Sequence, residues 1–325
     1  MTRTTTKALK KGRNAHTGGV FLLLGTLFCL LLIVKNPEVA VSGVGKGLSL
    51  CVSSVIPSLF PFMVLSELAV SGDLISYLPP RLLAPMRRIL GLSQEGCAAV
   101  LLGLLCGAPV GARCASLSVL RGEMQKKEAE RVLACSTCPS SAFVIGALGV
   151  TLLHDRRLGV LIYLSALLAA FISGALFRLF GGDVATPCDF LPTRAQKGFS
   201  AALFTNAVSN ATRSILLVSA YVVFFSALMG AVSAALSELC PSPEVSAILF
   251  CLLELSGGVG SATTLGNRTL AVLLSAFAVG WSGLSVHCQI NALCDETHLS
   301  LRPYLLSKLL QGAICTILAY LAIVL

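Results

Sequence analysis

The side chains that could do chemistry in this chain are few, and most fall inside apolar stretches. Arg113 follows a Gly/Pro-rich interruption, Gly107-Ala108-Pro109-Val110-Gly111, within the apolar run 97–120. Glu254 precedes a second interruption, Ser256-Gly257-Gly258-Val259-Gly260-Ser261. Glu67 sits in Leu65-Ser66-Glu67-Leu68, and His287 lies in the apolar segment 269–292. An ionisable group at membrane depth is costly and is a functional candidate by default. Arginine grips carboxylates bidentately, and the helix that starts near Gly111 would aim its positive dipole end at the same spot. Together they suit a small organic anion, whose binding would offset the roughly 2.5–3.5 kcal/mol cost of Arg113 at the bilayer centre. The competing role for Arg113 is an ion pair with Glu67, Glu254 or a phospholipid.

Glu254, Glu67 and His287 are candidates for carrying a coupling H+ or Na+, against plain structural pairing for each. Small polar side chains cluster at the interruptions: the Cys138 thiol with the Ser140 and Ser141 hydroxyls around Pro139, and the hydroxyls of Ser261, Thr263 and Thr264 beyond the second glycine run. Ser282, Ser285 and Gln289 recur at i, i+3 and i+7 and share one helix face. These groups, with Gly107, Pro109, Gly111, Arg113, Ser256, Gly257 and Gly258, form the expected substrate-binding set.

Other chemistries fit poorly. Thirteen cysteines are present, but Cys135-Ser-Thr-Cys138 is a lone CxxC without a second pair at metal spacing, so no metal or cofactor is expected. Gly280-Trp281-Ser282-Gly283 resembles the GxSG nucleophile motif of rhomboid proteases. Ser282 and His287, however, project about 140° apart on one helix and cannot pair without unwinding. No P-loop pattern supports an ATP-driven pump, and no enzyme activity is expected. The +9 charge comes without nucleic-acid-binding motifs.

The elements that must position these groups are membrane helices. The 325 residues are 55% hydrophobic and 12% charged, which excludes an ordinary soluble domain. Arg81, Arg87 and Arg88 precede the run 97–120, and Arg121, Lys126, Lys127 and Arg131 follow it. Basic loops stay cytoplasmic, so the run should enter and return from one side as a re-entrant hairpin. Arms of 10–12 residues reach about 16 Å, half the hydrocarbon depth.

Taken in order, residues 1–40 are a basic N-terminus and an anchor over 19–34, expected to be uncleaved with its N-terminus cytoplasmic rather than a signal peptide cut near Ala40-Val41-Ser42. Residues 41–180 form a first unit: a span over 44–72 kinked at Pro57 and Pro61, a surface helix within 73–95, the hairpin 97–120, a broken span 132–153 and a span 158–178. A cytoplasmic linker, 181–213, leads to a second unit, 214–325. That unit comprises a span 214–237, an outer turn 238–244, a hairpin 245–267 and spans 269–292 and 303–325. The halves match weakly in order. Val64–Gly72 parallels Val222–Gly230, Leu101–Gly111 parallels Leu252–Gly260, and Ala142–Gly149 parallels Ala276–Gly283. The spans alternate in opposite sense, so the fold class is all-α, polytopic, with two inverted-topology repeats and two re-entrant helical hairpins. Such repeats place a binding site near the midplane in many secondary transporters.

CGAPVGAR (106–113), KKEAER (126–131), FVIGALGV (143–150) and VGWSGLSVHCQI (279–290) resemble the sporulation integral membrane proteins of the YlbJ/SpoVV type, which carry the nucleoside-recognition or Gate domain. The resemblance spans roughly residues 44–325. It implies a fold similar to concentrative nucleoside transporters and movement of dipicolinic acid during spore formation. Two motifs depart from the family. Its hairpin tip reads GYPxGAK, where Ala108 and Arg113 stand here, and its unwound CNNxGP segment corresponds to Ser136–Ser141 without the asparagines. The expected partners are a small anionic substrate, a coupling proton or Na+ and the lipid bilayer, with a homo-oligomer left open and no nucleic acid. The expected location is a bacterial cell membrane, in a spore former the outer forespore membrane. Other small-metabolite permeases, nucleoside-like ones included, and a non-transporting scaffold of spore assembly are the alternatives.

Overall fold

The computed structural model describes residues 23–72, 80–181, 200–239 and 242–324, and every regular element among them is helical. Helix α1 (Leu23–Lys35) meets the next helix at 101°. That turn falls at Pro37, the first residue of α2 (Pro37–Leu50), where proline's missing N–H is harmless. The chain then stays helical to Ser71, through a π-wound turn Cys51–Val55 and α3 (Ile56–Ser71), instead of starting a separate span at 44. Pro57 explains the wide turn. Its ring displaces the carbonyl four residues back, and Ile56 N–H bonds to Cys51 O, five residues back. The kink expected from the prolines takes this form.

Residues 73–79 lie outside the described residues. Helix α4 (Pro80–Leu90) carries Arg87 and Arg88 in its last turn and buries Leu83 and Leu90, as suits a helix lying on a membrane surface. It meets α5 (Gln94–Cys106) at 102°. The chain reverses at Gly107 (φ 108°) into α6 (Ala108–Leu120). The arms press together where Gly103 faces Gly111, both against Ser136 of α7 (Lys126–Ser136), with no room for a Cβ at either glycine. Residues 97–120 are therefore a helical hairpin. The turn is tighter than the sequence suggested, because Pro109 is accommodated in the first turn of α6 and Gly111 is already helical.

Residues 137–140 are unwound, and Ala142–Leu152 continues as a π-helix. It packs on α8 (Arg156–Gly181) through Gly149 against Gly159. The expected linker 181–213 is revised: 182–199 lie outside the described residues, and α9 (Ala201–Leu239) begins 13 residues before position 214. At 39 residues it is about 58 Å long, nearly twice a hydrocarbon core. Its early turns are held by the buried Ala207 and Ala211 and by Asn210, which bonds to Glu67 of α3. Gly43 and Gly47 of α2 let that helix approach the α9 backbone at Ala227 and Val223, the small-residue packing common between membrane helices.

The second hairpin comprises α10 (Pro243–Leu253) and α11 (Leu255–Thr263), with Glu254 as the one extended residue between them. Its break was expected across Ser256–Ser261, yet that glycine-rich run is helical, because Gly258 packs directly on the backbone of Cys251. The last elements are α12 (Arg268–Trp281), α13 (Gly283–Leu293) and α14 (Arg302–Val324), with Ser282 at φ 76° and Gly283 at φ 79° breaking α12 from α13.

Among the described residues, four stretches are long and apolar enough to cross a membrane: Arg156–Phe180, Ala201–Ser237, Arg268–Leu293 and Arg302–Val324, or up to six if each bent pair is one span. Leu31, Val52, Leu164, Leu216 and Leu306 face outward, an apolar exterior suited to lipid.

Candidate functional site

Each hairpin tip abuts a helix break. At the first tip, a Cβ on Gly107 would fall 3.4 Å from Ser140 Cβ of the unwound segment. At the α12–α13 break, a Cβ on Gly283 would fall 2.9 Å from Leu255 N and 3.1 Å from the Glu254 backbone at the second tip. The chain can meet so closely there because the Gly107 and Gly283 backbones occupy conformations that L side chains avoid.

The four interruptions surround a cavity of about 90 Å³. Of the expected binding residues, Gly107, Pro109, Ser140, Ser256, Ser282 and Gln289 line it, together with the ion-coupling candidate Glu254. An apolar wall completes it: Val55, Leu59, Phe143, Val218, Val222 and Val286. Phe143, Glu254 and Ser256 also border a larger cavity of about 530 Å³, which extends between α2, α9 and α11 to Lys46 and includes Gly257 and Ser261. The two spaces share the second hairpin tip as a common wall.

Glu254 dominates the polar lining. It is buried, at 4% exposure, and its carboxylate accepts from Gly257 N–H at 2.7 Å, capping α11. Ser282 Oγ donates to Val279 O, and Ser285 Oγ accepts from Gln289 Nε2 at 3.3 Å. His287 Nδ1 meets Tyr304 Oη at 2.8 Å, and its ring lies edge-on to Trp281. No hydrogen bond joins Ser282 to His287 among the described residues, so the serine-hydrolase geometry is not formed.

Several expected site residues lie elsewhere. Arg113 and Glu67 are each other's partners: Arg113 Nε stands 3.5 Å from Glu67 Oε2, and Asn210 Nδ2 donates to Glu67 Oε1 at 2.8 Å. Neither lines the cavity. The reason is rotational: one turn into α6, Arg113 points away from the tip toward α3. Gly111 and Gly258 serve close helix packing. Thr263 bonds back to Gly260 O. Cys138 is buried behind the lining, and Ser141 opens the following helix. Among the described residues, no group of three His, Cys, Asp or Glu side chains could hold a metal ion.

Sequence reasoning missed the apolar wall, whose residues look like any membrane-helix surface. It also missed a buried polar cluster behind the unwound segment. Lys308 Nζ donates to Thr137 O at 2.6 Å and to Gln311 Oε1 at 3.0 Å. Gln311 Nε2 reaches Ala134 O, Ser173 Oγ and Ser307 Oγ. The rule that singled out Glu67, an ionisable residue inside an apolar run, applies equally to Lys308.

Apolar exterior, multiple spans and broken helices around an internal cavity define a multi-pass integral membrane protein. Over an alignment of 326 residues the chain is 24% identical to the sporulation integral membrane protein YlbJ of Bacillus subtilis (strain 168), covering 90% of this chain and 80% of that protein. The chain is thus similar to the YlbJ type along nearly its whole length, as its motifs led us to expect. No protein-family model matches it, and no solved structure does.

Proposed function

We propose that the protein is a secondary transporter that moves a small organic anion, dipicolinate or similar, across a bacterial membrane during sporulation by alternating access. The observation that carries this reading is the meeting of two hairpin tips and two helix breaks around one cavity. Such interruptions leave main-chain groups without intrahelical partners, and membranes tolerate them only where protein or a watery site covers them. The sporulation context comes from the YlbJ relative, and with it the outer forespore membrane as location. Inverted repeats fit the element order, since hairpin, broken helix and helix follow one another in each half (α5–α8 and α10–α14). The N-termini of α6, α11 and α13 turn their positive dipole ends to the cavity, and the larger cavity toward Lys46 supplies an access route.

One observation favours a nucleoside-like cargo instead. Glu254 lines the site while Arg113 is engaged with Glu67, and a carboxylate prefers a heterocycle with N–H donors to a dianion. The test is uptake into proteoliposomes of dipicolinate, nucleosides and simple dicarboxylates under imposed proton or sodium gradients. Dipicolinate accumulation is the expected result. Accumulation of nucleosides alone establishes the second cargo, and uptake of none contradicts transport of this class of molecule.

A further inference from the structure

Lys308 is 1% exposed in the second turn of the apolar helix α14, and no carboxylate lies within 4.0 Å of it among the described residues. Taking an ammonium out of water costs several kcal/mol, and a neutral side chain could cap the same carbonyl. The groups around it are all neutral donors and acceptors. Thr137 O at the end of α7 and Gln311 Oε1 accept from the ammonium, while Ser307 and Gln311 take up Ala134 O and Ser173 of α8. The C-terminal carbonyls of a discontinuous helix are where transporters hold coupling cations. Here a tethered cation fills that place.

The titratable groups facing Lys308 are Cys138 of the unwound segment, His287 of α13 and Cys315 on its own helix. Tyr304, also on α14, is hydrogen-bonded to His287. From α8 comes the Ser173 hydroxyl, and α12 presents the backbone of Gly280 to Gln311 O. None of these supplies a permanent counter-charge. Thr137 is two and three residues from Pro139 and Ser140, which line the cavity.

Resting on the transporter reading above, we propose that Lys308 is the proton-binding residue that couples transport to a proton gradient. In the step, one N–H bond of the ammonium breaks, a water molecule takes the proton to become hydronium, and the amine keeps the electron pair. The hydrogen bonds to Thr137 O and Gln311 Oε1 then lose their charge assistance and about half their strength, which frees the segment 137–140 to shift. Lysine can cycle in this way and arginine cannot.

The experiment has two arms on the full chain in lipid nanodiscs or liposomes. In the first, 13Cε-labelled lysines are titrated by NMR from neutral pH to about pH 10, around the ordinary lysine range. The Lys308 signal is identified by its loss in Lys308→Arg, or in Lys308→Gln if the arginine variant elutes as aggregate. A Lys308 signal that moves from ammonium to amine within that span is expected; one that stays ammonium throughout overturns the proposal. In the second, dipicolinate is the probe. Lys308→Arg is expected to lose proton-driven accumulation while retaining dipicolinate exchange, and undiminished proton-driven accumulation overturns the assignment. If the wild type takes up no dipicolinate, the cargo assignment fails, while the NMR titration still judges the lysine.

Discussion

The two helical hairpins solve the same reversal differently. The first turns on Gly107, a residue without a side chain, and most of α5 and α6 is buried, with the arms pressed on each other and on α7. The second turns on Glu254, whose carboxylate caps the outgoing arm, and Val245, Ile248 and Leu252 of its incoming arm face outward. One hairpin is a packed wedge whose tip contributes shape. The other lies at the periphery with a titratable group at its tip, shared between the two cavities. A chain can thus place a rigid wall and a responsive wall around one space.

If the first hairpin is a wedge, its arms cannot be spread. Gly103→Val is expected to abolish the folded state, because a side chain there meets Gly111 and Ser136 backbone; the measure is monodisperse elution from detergent extracts. The equivalent change at Gly260, which has open space, should leave elution unchanged. Smaller is the loss from Arg113→Ala, which leaves the buried Glu67 with Asn210 alone. About 3 kcal/mol of destabilisation follows from the orphaned charge, read as a lowered thermal midpoint, and Glu67→Gln in the same chain should restore most of it.

At the second tip the effects are finer and separate charge from capping. Glu254→Ala removes the cap and should cost about 1 kcal/mol, whereas Glu254→Gln keeps an acceptor for Gly257 N–H and should leave stability unchanged while altering transport. Equal midpoints for the Ala and Gln variants would show that the cap contributes nothing. The smallest perturbation is labelling. Single cysteines introduced into a cysteine-free chain at Lys127 and Ser242 should react from opposite faces of the membrane. Labelling of both from one face would remove the opposed arrangement of the hairpins.

The first hairpin was legible because charge and backbone chemistry agreed: basic clusters flank an apolar run too long for a loop and broken by Gly and Pro. The break at Pro139 was legible for similar reasons, whereas one helix was expected to run through Ser282, whose left-handed backbone (φ 76°) instead separates it from the helix that carries Ser285 and Gln289. The turn at Glu254 was placed two residues late, since glycines normally mark reversals and here they serve helix contact instead. The partner of Arg113 lies 46 residues away, on a helix whose rotation no local pattern sets. Lys308 was hidden by its setting, because a single lysine in a terminal span reads as an interfacial residue until its neighbours are known.

The cavity between the tips carries the account, and filling it is the most direct test. Val222→Trp places an indole into a space of about 90 Å³ from the apolar wall, without replacing any polar group of the lining. In proteoliposomes the account predicts a folded protein with dipicolinate uptake lost relative to wild type; uptake equal to wild type would contradict it.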